Sequence, residues 1–341
     1  LEDTQPTDVT IYGRRYLQSG YIEDDISLFD TSIFTAKRLI DSAFVTQGFG
    51  SATIYGMAHN GSLYVAVGAS GKIATSPDGI NWTQRTPFSA TDLREVTFGA
   101  GLFVACGASG LVISSPDGIN WTQRTGGFGA TLLLGAAFVN NIFLIGGQSG
   151  LVATSPDGIN WTQQATSFGG ANVNDFAHNG SVYVAVGSSG KIESSPDAIT
   201  WTDRSSGTIQ TISTVVSSGY FFVCGCTNGV MLNSLDGIAW EAITSGFGSA
   251  SITTMAVDDG FFVASGSTSK IAYSNNGINW TQAATVATSF QNDMLLVGSF
   301  VLSVGQDALG NGEMVTYGLA AFAGSSIAHS ENGENQYIRI T

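Results

Sequence analysis

From Ile54 onward the chain alternates short strand-like runs with turn signals. Ile54–His59 ends at Asn60-Gly61, a dipeptide favoured in two-residue hairpins. Leu63–Gly68 is almost continuously apolar, the pattern of a strand covered on both faces. Ser70-Gly71 turns the chain into Lys72–Ser76, and Asp78-Gly79 turns it again into Asn81–Gln84. No segment keeps an apolar period of 3.6 residues. The unit is therefore four antiparallel strands, A to D.

That unit recurs. Tryptophans stand at Trp82, Trp121, Trp161, Trp201, Trp240 and Trp280, with gaps of 39, 40, 40, 39 and 40 residues. Each closes a phrase that begins as Ser76-Pro77-Asp78-Gly79-Ile80-Asn81-Trp82. Its aspartates are Asp78, Asp117, Asp157, Asp197 and Asp236, with Asn276 in the sixth copy. Asp-Gly supplies the positive φ of a tight hairpin, and Ser76 and Asp78 are placed to accept amide hydrogen bonds. A seventh copy is read at Ser326–Gly333, preceded by a strand at Phe300–Gly305 and an insertion over about 306–325. Seven units of four strands predict an all-β, seven-bladed β-propeller. The predicted division is a non-repeat N-terminal anchoring arm over 1–45 and the propeller over 46–341. The arm is not required as a closing strand, although Ala43–Thr46 could add to the rim of blade seven.

Composition agrees with short strands and tight turns: 44 Gly, 6 Pro and 43% apolar residues in 341. Net charge changes the picture more. At −14, with 12 Lys and Arg against 26 Asp and Glu, the chain lacks the clustered cations that displace phosphate counterions. Nucleic acid is excluded as a primary partner, and no apolar run is long enough for membrane insertion. Cys106 and Cys224 occupy a strand position held elsewhere by Val67, Val186, Ser265 or Val304, so they read as buried packing residues. Cys224-Gly-Cys226 lacks the further ligands of a zinc site. No metal and no cofactor is expected.

The phrase ending in Trp resembles the Asp-box, or BNR, repeat of sialidase-like propellers, over roughly residues 51 to 341, with one residue fewer between Asp and Trp. In that family the motif forms the C–D hairpin and is structural. The resemblance implies a fold, not catalysis. Sialidases use three arginines, a Tyr–Glu nucleophile pair and an Asp acid/base, whereas Arg85, Arg124 and Arg204 here fall on outer strands three residues after a Trp. The units also look like those of phage virion proteins and bacterial surface proteins.

Candidate ligand-binding residues lie on the face shared by the D–A and B–C loops. Phe88, Phe128, Phe168 and Phe247, with Phe49 and Phe290, recur in the D–A loops. They form either a ring of exposed aromatics for sugar stacking or plugs between neighbouring blades; Gly207-Thr208-Ile209 interrupts the series. Lys72, Gln148 and Lys191, with Asn228 and Lys270, come from B–C loops. Arg94, with Asp92, Asp175, Asn292 and Asp293, would complete a polar rim. His59 and His178 precede equivalent Asn-Gly turns and read as repeat features rather than a triad with His329.

The expected function is a non-enzymatic, virion-associated structural or receptor-binding protein, of a phage tail, fibre or capsid-decorating type. It would sit in a larger assembly on a virion or at the cell surface. Residues 1–45 and the 306–325 insertion would contact other virion or surface proteins, and a host glycan or receptor would be the ligand. The alternatives are a secreted or cell-surface carbohydrate-binding lectin or adhesin, and a divergent glycosidase.

Overall fold

A computed structural model describes residues 37–46, 49, 51–283, 290–298, 300–307, 309–321, 327–328 and 339–340. The chain divides into two compact units, Leu39–Leu319 and the pair of segments Leu1–Arg38 and Ala320–Thr341. In the second unit Ile327–Ala328 pairs antiparallel with Arg339–Ile340.

The first unit is the propeller. Seven four-stranded antiparallel sheets are present among the described residues. In blade one, strand A is Ile54–His59, B is Tyr64–Gly68, C is Ile73–Ser76 and D is Thr83–Arg85. The innermost strands of the next six blades are Leu93–Gly99, Leu133–Val139, Val173–His178, Ile212–Ser217, Ile252–Asp258 and Phe290–Val297. Each lies beside the next, and the last lies beside the first, so the ring is closed.

The repeated phrase folds as its residues suggest. Ser76 Oγ accepts from Gly79 N at 2.9 Å, and Asp78 Oδ1 accepts from Ile80 N at 2.9 Å and Asn81 N at 2.7 Å. Trp82 Nε1 then donates to Gly79 O at 3.0 Å, which fixes the ring over the hairpin. Between B and C, Ser70 adopts φ 56° and Gly71 φ 66°, a left-handed pair repeated at Ser109, Ser149, Ser189 and Asn228 with the glycines that follow them.

Blade seven departs from the sequence expectation. Its four strands are Phe290–Val297, Phe300–Gln306, Gly312–Ala321 and, outermost, Lys37–Thr46. The third strand thus comes from the stretch expected to be an insertion at 306–325. The copy expected at Ser326–Gly333 falls mostly outside the described residues, and its Ile327–Ala328 belongs to the second unit. The local cause is a compact turn. Asp307 Oδ1 accepts from Leu309 N and Asn311 N, both within 2.9 Å, and sends the chain straight back along strand B. Lys37–Thr46, not only Ala43–Thr46, is a blade strand, so the boundary expected at 45/46 falls inside the sheet's end.

The core is not central; it lies in the seams between blades. Val65, Val67 and Ile73 of blade one, for example, pack with Leu93, Phe103 and Ala105 of blade two. In the seams before blades four and six, the D–A loop adds a phenylalanine. A Cβ on Gly187 would meet Asn172 O at 1.8 Å and then the Phe168 ring at 2.9 Å, and one on Gly266 would meet Ser251 O at 2.3 Å and then the Phe247 ring at 2.9 Å, so each glycine makes room for the backbone of the D–A loop as well as for its ring. In the seam before blade five the position of that phenylalanine is held by Thr208, and the residue matching these glycines is the buried Cys226. A smaller loop residue thus goes with a larger strand residue, and Cys226 packs in the core between blades four and five.

This pairing is testable by a double-mutant cycle. Gly187→Cys alone overpacks the seam and should cost about 1–3 kcal/mol, and Phe168→Thr alone opens it and should cost about 3 kcal/mol. The combination copies the blade-five side chains and removes the clash with the ring, while the close approach of Asn172 O remains for the backbone to relieve. Urea unfolding should show the double variant less destabilised than the sum of the two changes, and strict additivity would exclude the coupling.

Candidate functional site

Every strand A carries a β-bulge one residue from its start, or two in blade seven. The bulged residues are Tyr55, Arg94, Leu134, Asn174, Ser213, Thr253 and Asn292. The residues that follow are Gly56, Glu95, Gly135, Asp175, Thr214, Thr254 and Asp293. Apart from Gly56 and Gly135, all of them line a cavity of about 480 Å³ that receives residues from the inner strand of every blade. Leu134, Phe138, Val215 and Met255 make one part of the wall apolar.

Several polar groups in this ring clip one blade to the next. Asn174 Nδ2 donates to Ile212 O at 2.8 Å, and Asn292 Nδ2 donates to Ile54 O at 2.7 Å. Asp175 Oδ2 accepts from Val215 N at 2.9 Å and Thr214 Oγ1 at 3.0 Å. Asp293 Oδ2 accepts from Met57 N at 2.8 Å, across the closure from blade seven to blade one. Glu95 instead turns back to its own strand, accepting from Val96 N at 2.9 Å. A Cβ at Gly56 would lie 2.5 Å from Glu95 Oε1, so that glycine makes room for the folded glutamate.

Burial dominates the electrostatics of these acids. It pushes Asp175 up to about 6 against the amide donors that favour its charged form. Asp293 is raised for the same reason, and Glu95 is raised by burial first and by the charges of Asp293 and Asp175 second. The turn aspartates behave oppositely. Asp78, Asp117 and Asp157 are held well below the usual carboxylate range by hydrogen bonds to their charged form, those from the following asparagines foremost.

Arg94 is the one Lys or Arg that lines the cavity among the described residues. Its Nη2 lies 3.2 Å from Asp92 Oδ2, and its guanidinium carbon lies 4.2 Å from the Tyr55 ring centre. Asp92 Oδ1 is taken by Ser70 N at 2.8 Å, so Asp92 satisfies only one prong of the guanidinium. Arg94 Nε is buried without a hydrogen-bond partner.

The residues singled out in the sequence are not gathered into one site. Phe128, Phe168 and Phe247 are 5%, 2% and 1% exposed, and each packs among the apolar residues of a seam. Phe88 is half-buried against the seam of blades one and two. The exposed aromatic ring is thereby corrected, because a ring large enough to fill a seam has no face left for a ligand. Lys72 Nζ donates to Phe49 O at 2.7 Å, capping a D–A loop. Lys191 Nζ pairs with Asp203 at 3.0 Å, and Gln148 is an exposed turn residue. Asp175, Asn292 and Asp293 lie within the inner strands and line the cavity. Arg85 Nε, Arg124 Nε and Arg204 Nε donate to strand C hydroxyls at 2.9, 2.7 and 2.7 Å, away from the axis. Glu95 and Tyr55 went unnoticed in the sequence; aligning the position after each bulge would have exposed the column to which Glu95 belongs.

No group of three or more His, Cys, Asp or Glu side chains that could hold a metal ion occurs among the described residues. In the same residues no helix is long and apolar enough to cross a membrane.

Residues 57–176 match the family described as the DUF6242 beta propeller domain. No curated protein matches the chain. Among solved structures, YCF48 from Cyanidioschyzon merolae is similar at 18% identity and TM-score 0.62, over 80% of this chain and 98% of that one. A structure of YCF48 bound to D1 peptide is similar at 17% identity and TM-score 0.66, over 85% and 99% of the two chains. The WD40 beta propeller domain of Doa1 is similar at 11% identity and TM-score 0.65, over 83% and 97%. At these identities the likeness is one of fold.

The inner carboxylates make a directional prediction. A carboxyl raised in the folded state contributes stability below its unfolded pKa and loses it as pH rises through the folded value. Asp175 should therefore cost stability between about pH 4 and about pH 7, since its ordinary value lies near 4 and its folded value near 6. Urea midpoints of the wild type should fall across that window relative to Asp175→Asn, and parallel pH profiles would refute the assignment.

Proposed function

We propose that the chain is a non-enzymatic protein-binding module, and that it takes an extended polypeptide segment over the axial cavity. Arg94 carries this reading. Its side chain lines the cavity at 32% exposure, and Asp92 engages only one nitrogen of the guanidinium, Nη2. A main-chain carbonyl of a partner would accept from the rest of the guanidinium, where a hydrogen bond to a charged group is worth about 1.5–3 kcal/mol. The Tyr55 ring beside it offers a flat apolar surface to the same segment. That YCF48 is found bound to D1 peptide supports a peptide as the ligand class for this fold.

The cavity's chemistry argues for binding over turnover. Asp175 and Asp293 are committed to backbone amides of neighbouring blades, and a sialidase-like carboxylate clamp would need three arginines where the lining has one. Stacking of a glycan on the D–A phenylalanines loses its support with their burial. Membership of a virion or surface assembly rests on the sequence resemblance, and co-purification of the chain with intact particles is its test.

Panning a random-peptide display library against the folded chain tests the cavity. Enriched peptides should bind at least about tenfold more weakly to Arg94→Ala, the loss of roughly 1.4 kcal/mol expected for one buried hydrogen bond to a charged group. Gln123→Ala, on an outer strand, should leave them unaffected. Binders indifferent to Arg94→Ala and Tyr55→Ala would place the site elsewhere, and hydrolysis of a sialoside would restore the glycosidase reading.

A further inference from the structure

We propose that Asn60 and Asn179 are self-modifying sites, each cyclising with the following glycine amide under base catalysis by the preceding histidine. The two A–B turns share the sequence His-Asn-Gly-Ser and share a geometry. Gly180 N donates to His178 Nδ1 at 3.0 Å, and Gly61 N donates to His59 Nδ1 at 3.4 Å. The amide nitrogen that must attack is thus hydrogen-bonded to the atom that can take its proton. That bond lies in the plane of the peptide and so does not occupy the faces of the nitrogen, and the turn is uncrowded: a Cβ on Gly61 would meet nothing within 4 Å.

The electrophile is held as well. Asn60 Oδ1 accepts from Ser62 N at 3.0 Å, Leu63 N at 2.8 Å and Ser62 Oγ at 3.1 Å. Asn179 Oδ1 accepts from Ser181 N at 3.1 Å and Val182 N at 3.0 Å. Backbone donors on the carbonyl oxygen stabilise the negative charge that develops there when Cγ is attacked. Each imidazole is fixed by a tyrosine, His59 with ring centres 4.0 Å from Tyr64 and His178 4.3 Å from Tyr183. Partial burial keeps both histidines below their ordinary pKa, and so in the neutral form that a base requires.

The step balances without an oxidant or cofactor. The glycine N–H gives its proton to Nδ1 as the N–Cγ bond forms. The Cγ–Nδ2 bond then breaks, and Nδ2 leaves as ammonia with a proton returned by the imidazolium. Water opens the cyclic imide at Cγ to give aspartate, or at the main-chain carbonyl to give the β-linked isomer. Either product adds a carboxylate to an exposed turn, and the second lengthens the turn by one carbon.

Two other Asn-Gly pairs, at Asn228 and Asn276, serve as controls within the chain. Asn228-Gly229 has an exposed asparagine in a B–C turn with no histidine before it. Asn276-Gly277 has its glycine amide held by Ser274 Oγ at 2.9 Å, in a buried position. Peptide mapping by mass spectrometry, on full-length folded protein incubated at neutral pH, would follow all of them together. Asn179 should convert fastest and Asn60 next, both ahead of Asn228. His178→Phe, which preserves a ring against Tyr183, should slow Asn179 by about a hundredfold, the lower end of what a positioned base supplies, and leave Asn60 unchanged. His59→Phe should do the reverse. A variant that misfolds would betray itself by faster conversion at Asn228, and His→Gln at the same position then replaces it. Conversion of Asn60 and Asn179 no faster than Asn228, or rates indifferent to loss of the histidines, would overturn the proposal.

Discussion

The bulge near the start of every inner strand is the constraint on which this propeller depends. One extra residue sharpens the local twist and turns two successive side chains toward the axis and the neighbouring blade. Four of the polar side chains there reach forward: Asn174 to Ile212 O, Asp175 to Val215 N, Asn292 to Ile54 O and Asp293 to Met57 N. Where they are small, as at Gly135, the next blade comes close, and a Cβ there would lie 2.2 Å from Asn174 O. The bulge therefore decides both how near the blades approach and what faces the channel. The last two clips join residues more than 230 positions apart, so ring closure uses the same device as every other seam.

Two populations of carboxylate follow from this geometry. The turn aspartates sit in water, collect amide hydrogens and are held ionised, which stabilises the hairpins wherever their carboxyls are deprotonated. The inner carboxylates also collect amide hydrogens, yet burial outweighs those donors and raises their pKa. Identical chemistry at the two ends of a blade has opposite signs because the solvent differs. The large negative charge thus overstates the field inside the channel, since part of it is buried carboxyl held closer to neutrality.

The repeat itself was legible because its cause is local. Trp spacing, Asp-Gly turns and the apolar B strands each follow from a few adjacent residues, and the hairpin around Asp78 forms as those residues predict. Blade seven was not legible for the opposite reason. Its strand C lacks the phrase that marked the others, while of the partial copy read at Ser326–Gly333 only Ile327–Ala328 is described, and it pairs with Arg339–Ile340. Its outer strand, Lys37–Thr46, pairs with a segment some 270 positions away, which no local pattern encodes. The cavity fell between these cases. Arg94, Asp175 and Asp293 stood out as charges, but Glu95 next to Arg94 did not. Its significance lies in a column across seven strands rather than along one, and that column is offset by the bulge.

Drift among the blades obeys the same physics that made them alike. A repeat can change a residue only where its neighbour can answer. In the seam before blade five, the loop aromatic is lost and a strand position that is glycine elsewhere gains the side chain of Cys226, with φ moved to −122° from −170° at the equivalent Gly187. The Phe168–Gly187 and Thr208–Cys226 pairs are two solutions to one packing condition, constant volume at a seam. The channel positions face no such condition, because a cavity does not demand that its lining sum to a fixed volume. Beside the two asparagines that clip blades, Asn174 and Asn292, the same position holds Tyr55, Arg94, Leu134, Ser213 and Thr253, five different residues. The seams hold variation in compensated pairs, and the axis leaves it unconstrained by packing, so selectivity for a partner can accumulate there without loosening the ring.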